Sequence, residues 1–259
     1  MTTLYMKADS NNIAENVIFS GDPWRVEVLK KYLDNPIQVA FAREFNTYTG
    51  TYKGVKVTIT STGIGSPSAA IAMEEMYECG MKVAIRMGTV MAMNSHLLGK
   101  FLVPVGSIRE ESTSKTYVDA SYPAIADFQL LQVINKTISD YGFEYENGLN
   151  CTMDGFYSQM KESKFSLERK TDIHHTFERL KKVGVSGIDM ESSCMLVLGR
   201  LMNVKTASLT LVTVLENLSQ VLEPVERSAK EETLCKLALE SIYRFAILKE
   251  TYYKKSIEK

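Results

Sequence analysis

The sequence predicts a single α/β domain with a mainly parallel or mixed central sheet. Three observations carry this. Apolar runs of strand character alternate with amphipathic helical segments along the chain. No internal repeat and no linker divides it, so residues 1–259 read as one unit. At 259 residues and 45% hydrophobic side chains, the chain can bury a full core and stays within the size of single α/β domains.

Asn16–Ser20 reads as a short strand, which Gly21-Asp22-Pro23 turns sharply. From Trp24 to Leu33 the spacing is helical, with Val26, Leu29 and Leu33 on one face. Gly21 and Arg25 therefore sit in a strand-to-helix turn, where helix amides favour an anion. Pro23 suits the first helical turn, where its missing N–H costs nothing. Gln38–Tyr48 is extended and contains Arg43-Glu44-Phe45. Tyr48–Gly54 reads as a hairpin tip and Val55–Ser61 as the returning strand. Thr62–Ser68 is a small-residue loop before a helix from Ala69 to Cys79, with Gly80 as its stop. The loop has G-x-G but neither the full dinucleotide pattern nor its acidic partner, which excludes a Rossmann cofactor site.

Val83–Thr89 is the segment of greatest chemical interest. A strand entering at Lys82 puts Val83 and Ile85 inside and Arg86 at its carboxyl end. Ligands of open α/β sheets bind at that edge. Arg86 offers a fork of donors, Gly88 admits close backbone approach and Thr89 adds a hydroxyl: a candidate oxyanion cradle. The competing reading is an arginine in a surface ion pair. The Gly21–Arg25 turn, placed the same way after another strand, weighs against it.

Leu97–Val105 reads as paired strands, and Ser107–Tyr122, with Arg109 and Lys115, as an irregular polar loop. Asp127–Tyr141 is an amphipathic helix with Leu130, Leu131, Ile134 and Ile138 on one face. Glu144–Met153 is strand-like and leads to Asp154-Gly155-Phe156-Tyr157. Ser158–His175 is the least ordered-looking stretch, a lid or insertion. Val183–Ile188 is a strand, Ser193–Leu201 a helix and Ala207–Leu215 the most β-like run. Glu216–Pro224 is a loop, and Lys230–Ile247 a final amphipathic helix.

The formal net charge of −1 shows no basic excess, so nucleic acid is not an expected partner. The apolar runs are too short to span a bilayer, and the first residues hold no signal-peptide core, so a cytoplasmic location is expected. Cys79, Cys151, Cys194 and Cys235 lack C-x-x-C spacing and read as reduced, mostly buried thiols. Three histidines give no metal-ligand pattern.

Six stretches together resemble the nucleoside phosphorylase family, most closely its uridine branch. They are Gly21-Asp22-Pro23-x-Arg25-Val26, Arg43-Glu44-Phe45, Ser61–Ser68, Ile85–Thr89, Pro123–Phe128 and Met190-Glu191-Ser192. The hairpin Thr49–Gly54 also resembles the bacterial purine branch. The resemblance implies a three-layer α/β/α fold with a mixed central sheet. It also implies a pentosyltransferase reaction: phosphate attacks the anomeric carbon of a nucleoside, releasing base and pentose 1-phosphate. Inorganic phosphate is then a co-substrate and no cofactor is needed. By matched position, Gly21, Arg25, Arg86 and Thr89 bind phosphate. Arg43 completes the clamp from a neighbouring subunit, which implies a homodimer or a trimer-of-dimers hexamer with shared sites. Met190 packs on the ribose and Glu191 accepts from its hydroxyls, with Arg86 and Glu191 as the catalytic pair. Phe156 stacks on base or sugar. Taken without the resemblance, Arg43 reads as a surface ion pair and Phe156 as a core aromatic. Met190-Glu191 then reads as core plus a favourable charge at a helix start.

The base half departs from the family pattern. Gln159 stands for the glutamine of a Gln-x-Arg pair, but Lys161 replaces the arginine and lacks its fork. Met91 takes a glycine position. Near Val214 the uridine branch has an arginine and the bacterial purine branch an aspartate; Glu216 is the nearest acid. Asp189 stands where the family has glutamate. An N-terminal histidine that reaches a neighbour's sugar appears as Tyr5 or is absent. Three readings stay open: a uridine phosphorylase with a variant pocket, a purine nucleoside phosphorylase with Glu216 facing N7, and a non-catalytic nucleoside- or phosphate-binding paralogue.

Overall fold

The computed structural model describes the backbone of residues 1–257 and the side chains through 248. The first half contains β1 (Asn16–Ser20), α1 (Pro23–Leu29), β2 (Asp34–Ala42), β3 (Phe45–Tyr52), β4 (Val55–Ser61), α2 (Ser66–Glu78) and β5 (Val83–Ala92). Then follow β6 (Phe101–Leu102), β7 (Gly106–Arg109), β8 (Ala124–Ile125), α3 (Phe128–Asp140), β9 (Tyr145–Glu146) and β10 (Leu149–Thr152). The rest is α4 (Lys164–Glu168), α5 (Ile173–Lys182), β11 (Val185–Asp189), α6 (Ser192–Leu201), β12 (Lys205–Leu215) and α7 (Pro224–Ile257).

These strands form one mixed sheet, and β5 is its hub. One edge of β5 pairs with β12, in parallel, from Val83 to Ala92. The other edge pairs with β1, in parallel, only until Ser20 meets Met87. From Met91, opposite Ile188, that edge pairs with β11 in the antiparallel sense. Gly88, Thr89 and Val90 lie between, with no strand partner on that edge.

Helices cover both faces. Side chains of α1, α3 and α7 pack on Ile18, Val83, Ile85 and Met87. Those of α2 and α6 pack on Val17, Phe19 and Ala84. Neighbours along β1 and β5 thus serve opposite cores, as the two-residue strand period requires.

Several elements differ from expectation, each for a local or pairing reason. The extended stretch 38–48 reverses at Arg43, whose φ is 56°, making the β2–β3 hairpin. The hairpin tip shrinks to Lys53-Gly54, with φ of 50° and 81°, as a two-residue primed turn demands. Arg86 does not end its strand, because the β12 pairing carries β5 on to Ala92. The stretch 97–105 yields only β6, and 106–109 forms β7 beside β10 instead of loop. The polar stretch 158–175 is mostly helical. It holds a π-turn at Phe156–Met160, α4 with a Ser163–Ser166 capping box, and α5 capped by Asp172. The last helix starts at Pro224, ahead of Lys230.

Candidate active site

The break in pairing along β5 opens into a cavity of about 640 Å³. One end of it is built around Arg86. This side chain is buried, with Nη2 against Glu191 Oε2 and 3.1 Å from Asp189 Oδ2. Burial works to lower the guanidinium pKa, but the two carboxylates prevail and hold it above its ordinary value. Arg86 is therefore a fixed cation. Its Nη1 is buried without a protein partner. Gly88 gives this group room, since a Cβ there would stand 2.5 Å from Nη1.

The β1–α1 turn closes the same end. The Asp22 carboxylate caps α1 by accepting from the Trp24 N–H at 2.9 Å, with Pro23 in the first turn. Arg25 donates to Ser20 Oγ and to Glu231 Oε2 of α7, both at 3.4 Å. Burial works to push Glu231 up, but Arg25 and Arg227 hold it below the usual carboxylate range.

A carboxylate shelf follows at the start of α6. Asp189 Oδ1 accepts from Asn150 Nδ2 and Thr152 Oγ1, each at 2.8 Å. Its Oδ2 accepts from the Ser192 hydroxyl at 2.5 Å. Asp189 is thereby committed to tying β10 to α6. Glu191 Oε1 accepts from the Gly65 N–H at 2.6 Å, and the Ser66 hydroxyl donates to the Met190 carbonyl at 2.9 Å. Gly65 has a φ of 96°, a conformation that favours glycine.

The far end is apolar. Met91 pairs with Ile188 of β11 and with Val214 of β12, so the three side chains cross the sheet in one row. At about 3.3 Å per residue, Met91 lies up to about 16 Å beyond Arg86 along the strand. Phe156 and Met160 complete the wall.

The structure brings Gly21, Arg25, Arg86, Thr89, Met190, Glu191, Phe156 and Met91 to this one cavity. It does not bring Gln159, Lys161, Glu216, Arg43 or Tyr5 to its lining. Gln159 Oε1 accepts from the Gly155 N–H at 2.8 Å. Lys161 donates to the Glu162 carbonyl at 3.1 Å and to Asn217 Oδ1 at 3.4 Å. Glu216 pairs with Lys181 at 2.8 Å. Arg43 is exposed on the β2–β3 turn and lies over the Tyr5 ring, 5.4 Å from its centroid. Lining residues that no sequence motif singled out include Val90, Met160, Ile188 and Thr213, and Asp189, which stands where the family has glutamate, lines the cavity as well. Met160 is masked by its polar neighbours. Thr213 lines the cavity beside Val214 because a bulge between Val212 and Val214 breaks the strand alternation.

Burial pushes the Cys151 thiol up to about 12 and Cys194 higher still, so both are neutral. Among the described residues, no group of three His, Cys, Asp or Glu side chains is placed to hold a metal ion. No helix among them is long and apolar enough to cross a membrane.

Known proteins resemble this chain in sequence and in fold. Residues 15–242 match the family model described as the phosphorylase superfamily. The chain is 32% identical to uridine phosphorylase of Thermococcus kodakarensis over 191 residues, covering 73% of this chain and 69% of that protein. It is 35% identical to guanosine phosphorylase of Halorubrum lacusprofundi over 159 residues, covering 61% and 66%. The crystal structure of uridine phosphorylase from Vibrio fischeri superposes with a TM-score of 0.81 at 31% identity, covering 94% of this chain and 98% of that one. The matched region takes in every segment of the cavity wall from Gly21 to Val214, and the chain belongs to the phosphorylase superfamily.

Proposed function

We propose that this chain is a uridine phosphorylase, a pentosyltransferase that converts uridine and inorganic phosphate into uracil and ribose 1-phosphate. The observation that carries the reading is Nη1 of Arg86, a buried donor on a fixed cation with no protein partner. Such a donor is costly to leave unpaired, and a phosphate oxygen satisfies it with a charge-assisted bond. Gly21, Arg25 and Thr89 line the same end and share the anion.

The remaining groups suit the chemistry. Phosphate is itself the nucleophile, so no protein nucleophile or cofactor is assigned. Glu191, steadied by Gly65 and Arg86, accepts from the sugar hydroxyls, while Met190 packs on the ring. Negative charge on Glu191 stabilises the oxocarbenium character that grows as the base departs. Catalysis is then positioning and electrostatics.

Charge balance favours sites shared between copies. Arg86 faces Asp189 and Glu191, and Arg25 faces Glu231. An incoming phosphate calls for another cation, and Arg43 on its exposed turn can reach a neighbour. We assign a homodimer, or a hexamer of three dimers, in which Arg43 and Tyr5 act in the adjoining site. The whole chain works as one domain, in the cytoplasm.

The Glu216–Lys181 pair weighs against Glu216 as an acid facing purine N7. The test is a phosphorolysis assay across natural nucleosides with a no-phosphate control. Phosphate-dependent release of uracil from uridine is expected. Phosphate binding without turnover of any nucleoside would overturn the assignment in favour of a binding protein.

A further inference from the structure

At the Met91 end the cavity lining is apolar apart from one hydroxyl-bearing residue, Thr213. Thr213 is 3% exposed, and no side-chain hydrogen bond of its hydroxyl is found among the described residues. It lies in the bulge in β12, which brings both Thr213 and Val214 to the cavity lining. Around it stand Met91, Met160, Ile188 and Val214. The charged or amide side chains nearest in sequence, Gln159, Lys161 and Glu216, are held by Gly155, Asn217 and Lys181.

We infer that the base is held by packing against the Met91–Met160 wall, with the Thr213 hydroxyl as its single side-chain hydrogen bond, so oxo- and amino-substituted bases bind alike. The inference rests on the phosphorolysis reading of the same cavity. A hydroxyl donates and accepts by rotating. It meets a carbonyl oxygen as a donor and an exocyclic amine as an acceptor. A fixed amide or guanidinium reader would favour one of them. A site that pairs a substrate's polar edge strictly rejects the mismatched analogue by about 10⁴-fold or more, whereas apolar packing discriminates by about 10- to 200-fold. Thr213 is a specificity-determining residue on this view, and the ligand class is neutral pyrimidines and purines irrespective of their exocyclic group.

The experiment measures inhibition constants of free uracil, cytosine, hypoxanthine and adenine against uridine phosphorolysis, for the full chain and for Thr213→Val. Within each oxo/amino pair, wild-type constants should differ by less than about 100-fold; a larger ratio overturns the inference while leaving the phosphorolysis reading intact. Thr213→Val should weaken all four bases by about 2- to 12-fold, the worth of one neutral hydrogen bond. No change in any of them, or a change confined to the oxo bases, overturns the role of Thr213. If the variant fails to fold in a thermal melt, the wild-type ratios still decide. If no nucleoside is cleaved, the reaction assignment fails, and calorimetric titration of the four bases in the presence of phosphate gives the same ratios.

Discussion

Gly88 and Arg86 compete for one volume: a Cβ on Gly88 would stand 2.5 Å from Nη1 and 3.2 Å from Cζ of Arg86. The two residues share a face of β5, two positions apart, as strand geometry requires. The glycine thus serves the guanidinium directly, by leaving it room. Gly88→Ala should displace the far end of a flexible side chain and leave the core undisturbed. We expect the KM for phosphate to rise about tenfold or more, the cost of one impaired charge-assisted contact. The melting temperature should stay within a few degrees. An unchanged phosphate KM would detach Nη1 from anion binding.

That Gly21, Arg25, Arg86 and Thr89 meet at one cavity was legible in the sequence because the parts are local. Gly21–Arg25 is a turn whose cap, proline and arginine are neighbours, and Arg86, Gly88 and Thr89 lie within four residues. The extent of β5 was not legible. Gly88 and Thr89 look like turn residues, and only the distant β12 pairing carries the strand past them. The apolar end was least legible. Gln159, Lys161 and Glu216 have suitable chemistry near suitable positions, but side-chain direction is decided by partners such as Gly155 and Lys181. The bulge at Thr213 breaks the two-residue period on which strand reading depends. Ser158–His175 reads as polar, yet Met160 and Ile173 within it are buried.

Shared sites can be tested by complementation. Arg43 is exposed, lies over the Tyr5 ring and is not part of the lining of its own chain's cavity, while Glu191 is. Arg43→Ala and Glu191→Ala should each be nearly inactive alone. Mixed subunits, after verified exchange, should regain up to about a quarter of wild-type activity in a dimer, because random pairing leaves one intact site in half of the dimers. Exchange without any recovery would place Arg43 outside the neighbouring site.

Glu240 on α7 anchors the β3–β4 hairpin. It is 4% exposed and accepts from Lys53 at 2.5 Å, from Tyr52 at 3.1 Å and from Arg244 at 3.0 Å. Burial works to raise its pKa, but Lys53, Arg244 and Tyr52 outweigh it and hold the carboxyl below its ordinary 4.5. A carboxyl depressed on folding adds stability that is present above its unfolded pKa and lost as the pH falls through the lower folded value. Glu240→Gln should therefore cost about 1–2 kcal/mol at pH 7, with the partly exposed partners keeping the figure small. The difference from wild type should shrink steadily as the pH drops below 4.5. Urea melts across that range measure it, and a pH-independent difference would remove the ionised carboxylate as the cause.

Met91 belongs to two structures at once. It is 2% exposed and part of a buried cluster with Cys151, Met153 and Ile188, yet it also lines the cavity between Ile188 and Val214. Truncation should register in both. Met91→Ala removes a buried side chain whose loss in a closed core costs about 2–5 kcal/mol. Here one side of the residue already faces open space, so fewer contacts are forfeited and the low end, about 2–3 kcal/mol, is expected. The same change lengthens the apolar end of the cavity by most of a methionine side chain. A bicyclic base gains more from that space than a monocyclic one. The ratio of kcat/KM for inosine to that for uridine should rise by about tenfold, the range reached when a pocket changes by a few methylenes. Steady-state kinetics on both nucleosides, alongside a thermal melt, separate the two effects. A stability loss with an unchanged ratio would confine Met91 to the core, and a changed ratio with no stability loss would place it on the cavity wall alone.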